Sequence, residues 1–258
     1  MFLTTEGLVL RETEYRDSDK LLTVLTRDNG KMTLKARGVR TGRSKLKSAC
    51  QLLTYSEFTV NDAFHGYYAI TEAEPRQMFS KIRSDLELLS LASYFAQVTE
   101  CISQEDAASP ELLSLTLNCL YALSEWNLPQ AMVKAAFELR IACIAGYEPE
   151  LTCCAICGSQ TPDRFNVTQG VLQCTACRSA DFEGLRLPLT PAILEAMRYL
   201  TAAPLRRLLS FRLSEQTAMA LSSITETYLM TQLERGFSTL DFYKSILPIQ
   251  EYPYDDIN

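Results

Sequence analysis

Residues 154–177 read CAICGSQTPDRFNVTQGVLQCTAC, in which two Cys-x-x-Cys pairs are separated by sixteen residues. The first pair is Cys154 and Cys157, and the second is Cys174 and Cys177. Each pair can form a tight turn that brings both sulfurs to about 2.3 Å from one ion, and the residues between the pairs can form a ribbon that returns to it. Gly158 suits such a turn because glycine adopts backbone conformations that side chains oppose. The spacing predicts a structural site with four thiolate ligands, and zinc is the expected ion.

Other interpretations of this stretch are weaker. The chain has nine cysteines, an odd number, and no recognisable secretory leader, so we expect a reducing cytoplasm rather than paired disulfides. A redox Cys-x-x-Cys motif would not explain why the pair is duplicated. Two alternatives stay open: iron bound by the same ligands, and Cys153 in place of Cys154, which would change the first spacing to three.

A site closed by four sulfurs has no open position for water, so its expected role is to hold a ribbon over residues 151–184 together. The chain has a single histidine, His65, which lies far from the cysteines in sequence and is read as a turn residue. A zinc deaminase is therefore not favoured. We found no glycine-rich phosphate loop, no Gly-x-Ser-x-Gly motif and no paired carboxylates, and the sequence predicts a protein that is not an enzyme.

Positive charge is concentrated near the start of an acidic chain. The 258 residues are 47% apolar and 22% charged, with a formal net charge of −6. Residues 27–47 nevertheless hold eight Lys and Arg against the single acid Asp28, a local charge of +7. Such a patch attracts a polyanion, although an acidic protein surface or a merely solvated loop would also fit. The candidate contacts with nucleic acid are Lys31, Lys35, Arg37, Arg40, Arg43, Lys45 and Lys47.

Residues 1–80 have the pattern of short strands. Leu21–Thr26 and Lys31–Arg37 flank an Asp-Asn-Gly turn, which predicts an antiparallel hairpin. Strands are also expected at 5–11, 52–60 and 64–71, with Pro75 closing this part, and 39–48 is expected to be a long, mobile loop. Five strands without a helix predict a small barrel, on which Lys31, Lys35 and Arg37 would share one face. Aromatic candidates for stacking on bases are Tyr55, Phe58, Tyr67 and Tyr68.

From Ser84 onward the apolar period is helical, and Ser84 with Glu87 predicts a capping box. Helices are expected at 84–102, 109–126, 130–145, 190–201 and 214–235. The fold class is therefore α+β multidomain: a five-stranded barrel at residues 1–80, followed by a helical domain at 81–258 with an inserted four-cysteine zinc ribbon.

The order of these parts resembles a known family. The runs LVLRE (8–12), YRDSDKLLTVLT (15–26), GKM (30–32) and ARG (36–38), with Ser44, resemble the amino-terminal region of the RecO family of bacterial recombination and repair proteins. The two later Cys-x-x-Cys pairs resemble the zinc ribbon that many members carry inside their helical domain. The resemblance spans nearly the whole chain.

The resemblance implies an amino-terminal OB-fold and a non-enzymatic mediator of DNA repair and recombination. Such a protein would bind single- and double-stranded DNA, anneal complementary strands, and act with RecR to load RecA onto strands coated by single-strand-binding protein, SSB. It would be cytoplasmic and associated with the nucleoid. Arg206 and Arg207 are candidates for binding the acidic SSB tail. The alternative is a protein-interaction adaptor whose basic loop docks an acidic partner.

Overall fold

A computed structural model of the protein describes residues 2–62, 66–177 and 182–247. Its amino-terminal part is a five-stranded barrel with β1 (Phe2–Tyr15), β2 (Asp19–Thr26), β3 (Lys31–Ala36), β4 (Tyr55–Asp62) and β5 (Tyr68–Gln77). The strands follow the order β1-β2-β3-β5-β4 around the barrel, and β4 pairs with β1 to close it. β3 and β5 are parallel, whereas the other neighbours are antiparallel. The predicted five-stranded barrel is confirmed.

The predicted hairpin forms from β2 and β3, with Leu25 opposite Lys31 and Val24 opposite Met32. The turn passes through Gly30, whose φ of +66° is in the left-handed region that glycine adopts without strain. Leu22, Val24 and Leu34 are fully buried inside the barrel. The hairpin therefore forms where the turn signal and the apolar residues agree.

The barrel does not end at Pro75, as the sequence suggested, because β5 continues through this residue to Gln77. Pro75 pairs with Ser56 next to a shift in register between Tyr55 and Ser56. Proline has no N–H to donate to a ladder, and an irregularity of this kind is where a strand tolerates it. The first two residues of the predicted fifth strand, 64 and 65, lie outside the described residues.

The segment between β3 and β4, residues 37–54, is a succession of turns, in agreement with the predicted loop. The ends of this loop are more firmly packed than its basic composition suggested. Val39 and Cys50 are buried against the barrel core, and the N–H of Arg40 donates to the carbonyl of Ser18 at 3.0 Å. Only the middle of the loop is left to project from the barrel, and its mobility stays a prediction.

The remainder of the chain is mainly helical. The helices are α1 (Ser80–Arg83), α2 (Leu86–Ile102), α3 (Pro110–Ser124), α4 (Gln130–Ile144), α5 (Pro191–Ala202), α6 (Glu215–Leu233) and α7 (Ser238–Ile246), with a short 3-10 helix at Leu205–Arg207. α4 packs against α3, α5 and α6, and α7 packs against α2. The predicted capping box was wrong: Asp85 caps α2 by accepting from the N–H of Leu88 at 3.0 Å, while the Ser84 hydroxyl donates to the carbonyl of Lys81.

The cysteine insertion between α4 and α5 contains a four-stranded sheet made of β6 (Glu150–Cys154), β7 (Arg164–Asn166), β8 (Val171–Gln173) and β9 (Arg186–Pro188). Their order in the sheet is β6-β8-β7-β9. Phe165 and Leu172 are fully buried in the main helical core, and the Phe165 ring packs edge-on against Tyr228 of α6 with centroids 5.1 Å apart. The ribbon therefore does not stand free of the helices, because its base is part of their core.

The barrel and the helices also share one apolar cluster, to which the barrel contributes Leu8, Leu10, Leu25 and Leu53. Polar contacts reinforce this junction. Arg11 forms an ion pair with Glu100 of α2 at 2.8 Å, and the N–H of Lys31 donates to the carbonyl of Gln104 at 2.9 Å. The division into domains at residues 1–80 and 81–258 stays a prediction, and the shared core gives the two parts a common source of stability.

Candidate metal centre and nucleic-acid interface

The four predicted ligands come together at the tip of the ribbon. The Sγ atoms of Cys154, Cys157, Cys174 and Cys177 all lie within 4.8 Å of one another, and those of Cys157 and Cys174 are 3.8 Å apart. Four sulfurs arranged as a tetrahedron at about 2.3 Å from one ion are separated by roughly 3.8 Å, which matches the separation of Cys157 and Cys174. This group of residues could hold a metal ion.

Local backbone structure explains why the two pairs converge. At the first pair, the N–H of Gly158 donates to the carbonyl of Cys154 at 2.9 Å, and Gly158 has a φ of +72°. At the second pair, the N–H of Cys177 donates to the carbonyl of Cys174 at 3.1 Å. The parallel pairing of β6 with β8 places Cys154 opposite Leu172, close to the second pair. Two tight turns at the ends of neighbouring strands therefore form the cluster.

The Cys154 and Cys177 thiols differ in their tendency to ionise. Burial opposes ionisation of Cys154, but the N–H groups of Cys157, Ile156 and Cys174 stabilise its thiolate and lower its pKa to about 6. The pKa of Cys177 is raised to about 12, first by its hydrogen bond with the Cys157 thiol and then by burial. One thiolate forms readily and then opposes ionisation of its neighbours. A divalent cation would remove that opposition, since it compensates the accumulated negative charge.

Cys153 does not join the cluster, although it is adjacent to Cys154. It is half-buried, and its sulfur accepts a weak hydrogen bond from the Thr152 hydroxyl at 3.8 Å. Successive side chains on a strand point to opposite faces, and Cys154 is the one that points toward the other sulfurs. The structure therefore brings the residue with the Cys-x-x-Cys spacing to the candidate site.

Five of the seven candidate cations are exposed on the loop between β3 and β4. They are Arg37, Arg40, Arg43, Lys45 and Lys47. Arg40 forms an exposed ion pair with Glu14 at 3.2 Å, a type of pair that contributes little free energy in water. In the described part of the chain, the other four have no ion-pair partner within 4.0 Å. The loop thus carries five solvent-exposed positive charges.

The expectation that Lys35 shares an open face with Lys31 and Arg37 was wrong. The Lys35 side chain is only 6% exposed, and its Nζ lies 3.2 Å from a carboxylate oxygen of Asp19. The Gly38 N–H and, more weakly, Lys35 hold the pKa of Asp19 below its usual value. Lys31 is half-buried against the helices, where its Nζ donates to the carbonyl of Glu100 at 3.3 Å. Both lysines therefore face the protein, Lys35 toward Asp19 and Lys31 toward α2.

The aromatic residues predicted to stack on bases differ in their exposure to solvent. Phe58 is fully buried in the barrel core, and Tyr55 donates its hydroxyl to Glu6 at 2.8 Å. Burial, with the nearby Glu6 carboxylate, raises the pKa of Tyr55 to about 12. Tyr67 and Tyr68 are half-exposed at the start of β5. His65, read as a turn residue, lies outside the described residues.

The turn between β1 and β2 lies at the same end of the barrel as the start of the basic loop. The N–H of Gly38 donates to the Asp19 carboxylate at 2.8 Å, which ties the two together. Tyr15 ends β1 and Arg16 begins this turn, and the sequence-based interpretation did not include either residue in the site. The sequence signal for these two residues was an aromatic side chain and an arginine directly before Asp-Ser-Asp. Their proximity to Lys35 and Tyr67 is a result of the tertiary structure.

Arg206 and Arg207 are exposed on the short 3-10 helix, and their role toward an acidic tail stays a prediction. Within the described ranges, none of the helices is sufficiently long and apolar to traverse a lipid bilayer.

Comparison with known proteins supports the resemblance along most of the chain. The family model for the amino-terminal part of recombination protein O, RecO, matches residues 1–79, and the model for its carboxy-terminal part matches residues 83–241. A DNA repair protein RecO of Acetivibrio thermocellus is 29% identical over 249 residues, covering 95% of this chain and 97% of the relative. The DNA repair protein RecO of Alkaliphilus metalliredigens is 28% identical, and the match covers 95% of this chain and 100% of the relative. That of Desulforudis audaxviator is 31% identical, and the match covers 94% of this chain and 96% of the relative.

Proposed function

The chain belongs to the RecO family of DNA repair and recombination proteins, and we propose that it is a non-enzymatic mediator that holds DNA along its basic loop. The observation that carries this proposal is the cluster of exposed cations on one loop of a protein whose net charge is −6. Each phosphate neutralised by such a cation releases a counterion, which favours binding of any sequence. The remaining acidic surface limits the contact to this part of the molecule.

Annealing follows from the same charge distribution. Two complementary strands repel each other through their phosphates, and a protein that neutralises one strand lowers the barrier to pairing. Contacts through the phosphates leave the base edges free to pair. In this proposal the protein binds both single- and double-stranded DNA and hands the strand, with RecR, from SSB to RecA.

We further propose that the four cysteines bind zinc in a structural role. The size of the sulfur cluster and the thiolate-stabilising N–H groups around Cys154 support this ligand set. A site filled by four protein ligands has no coordination position for a substrate, so the metal would stabilise the tip of the ribbon without taking part in a reaction. A reducing cytoplasm, where thiols remain available to metal, agrees with this use of cysteine.

The proposal is tested by measuring the binding of bare oligonucleotides in the absence of any partner protein, followed by annealing of complementary strands. We expect retention of both single- and double-stranded DNA, weakened by added salt, and faster annealing than in buffer. A protein-interaction adaptor that docks an acidic partner predicts no retention of bare DNA. That result, obtained with folded and metal-loaded protein, would overturn the proposal in favour of the adaptor.

A further inference from the structure

Two tyrosines and a buried lysine form a cluster at the end of the barrel from which the basic loop begins. Tyr15 is the last residue of β1, and Tyr67 directly precedes β5. The ring centroids are 6.5 Å apart, with the planes inclined by 61°. Both side chains are half-exposed, so the pair forms part of the surface and is not enclosed in the barrel core.

Lys35 fixes the two rings from the inside of this cluster. Its Nζ lies 4.8 Å from the Tyr15 centroid and 5.7 Å from the Tyr67 centroid, and the same nitrogen contacts Asp19 at 3.2 Å. The electron-rich faces of both rings are attracted to this cation. Because Asp19 compensates the charge and the side chain is almost fully buried, Lys35 is suited to holding aromatic rings and not to binding phosphate.

Arg16 adds an exposed planar group to the same surface. Its guanidinium carbon lies 5.2 Å from the Tyr15 centroid. Its backbone has a φ of +55°, which is in the left-handed region that arginine rarely adopts. Strain of this kind concentrates at ligand sites, where the position of a side chain matters more than the free energy lost.

We propose that Tyr15, Arg16 and Tyr67 form a subsite that stacks on unpaired bases of single-stranded nucleic acid, with Lys35 as the residue that positions the rings. Stacking needs the face of a base, which is accessible in a single strand and covered in a duplex. The neighbouring loop supplies the phosphate contacts, since the Arg40 N–H and the Ser18 carbonyl join loop and turn at 3.0 Å. This inference rests on the proposed function and adds to it a preference for single strands.

The test compares binding of a single-stranded oligonucleotide with that of the same oligonucleotide containing a run of abasic sites. For Tyr15→Ala combined with Tyr67→Ala, we expect roughly tenfold weaker binding of the base-bearing strand. Binding of the abasic strand and of duplex DNA should match that of the wild type. Equal losses on all three nucleic acids, or no loss on the base-bearing strand, would overturn the proposal.

Arg16→Gly separates binding from folding. Glycine relieves the left-handed backbone, so we expect a thermal midpoint equal to or above that of the wild type. Affinity should fall further for the base-bearing strand than for the abasic strand, which loses only the charge of Arg16. Unchanged affinity for the base-bearing strand would remove Arg16 from the subsite.

Lys35→Met tests the positioning role. This variant should lose the difference in affinity between base-bearing and abasic strands, and Lys35→Arg should restore most of it. A Lys35→Met variant that is merely less stable, with that difference intact, would show that Lys35 serves the fold alone. If variants of the basic loop also bind DNA as tightly as the wild type, the proposed function itself fails. If the loop variants lose DNA binding and the Tyr15, Arg16, Tyr67 and Lys35 variants do not, only the stacking subsite is overturned.

Discussion

Replacing Arg37, Arg43, Lys45 and Lys47 with alanine removes four exposed positive charges from the basic loop and changes the net charge from −6 to −10. Their side chains are solvent-exposed, and in the described ranges they form no ion pair, so their removal leaves no buried acid uncompensated. The variant should therefore fold like the wild type, with a change in stability within about 0.5 kcal/mol. Loss of DNA binding in this variant would reflect lost contacts with the phosphates.

The size of the effect follows from counterion release. Each phosphate contact on a single strand contributes about −0.7 to the slope of log affinity against log salt, so four lost contacts flatten the slope by about 2.8. Between about 50 and 200 mM salt, the wild type should then lose roughly 50-fold more affinity than the variant. The slope is measured by fluorescence anisotropy of a labelled oligonucleotide across this salt range.

A matched control separates the position of the charges from their number. Alanine at Lys81, Arg206, Arg207 and Arg212 also removes four exposed cations, so its net charge is again −10, but these residues lie outside the loop. The control should keep the slope of the wild type. Equal slopes for the wild type and the loop variant, or equal flattening in the loop variant and the control, would refute the assignment of the loop to phosphate binding.

Three further predictions concern the four-cysteine site, the contact between Gly30 of the barrel and Ala107 of the helical part, and the ion pair of Asp19 with Lys35. Cys157→Ser should lose the bound zinc and have a lower thermal midpoint, whereas the control Cys153→Ser should keep the metal. Elemental analysis measures the metal content of both variants. Full metal content in Cys157→Ser would contradict the site. Gly30→Ala should destabilise the protein by more than Gly38→Ala, measured by urea unfolding. Both residues have a positive φ, which costs an alanine roughly 1–2 kcal/mol. At position 30 the added carbon would also lie 2.6 Å from the Ala107 carbonyl oxygen, whereas at position 38 it would meet no atom within 4 Å. Equal losses of stability in the two variants would refute this contact. Asp19→Asn should lower stability at neutral pH, because the pKa of Asp19 is lowered in the folded protein and its carboxylate stabilises the fold above the unfolded value of 3.8. The difference from the wild type should disappear as pH falls through the lowered pKa, and a difference that persists there would assign the effect to something other than charge.

Part of the candidate site was predictable because it depends on local sequence. The spacing of Cys154 and Cys157 specifies a turn, and a turn of that kind brings both sulfurs to one point wherever the ribbon lies. The β2–β3 hairpin was predictable for a similar reason, since the Asp-Asn-Gly turn and the alternation of apolar residues give the same register. The helices after Ser84 follow from a long apolar periodicity.

The exposure of single cations was not predictable in this way. Lys35 and Arg37 are two residues apart and were expected on one face, but the first is buried with Asp19 and the second is exposed. Strand alternation places a residue on one side of a strand, yet it does not show what covers that side. The position of Asp19 and of Tyr15 in space decides the environment of Lys35.

The sequence by itself determined the main elements and their order: a basic hairpin and loop in a barrel, followed by a helical part with two cysteine turns inserted in it. The strands, helices and individual cysteine turns arise from interactions among residues close along the chain, and their physical signals are periodicity, turn residues and ligand spacing. Only the tertiary structure decided which cations face solvent, that Tyr15 and Tyr67 meet at Lys35, and that barrel and ribbon share the helical core. These contacts join residues far apart in sequence, and their free energy depends on burial and on the opposing charge, neither of which is encoded in a local pattern.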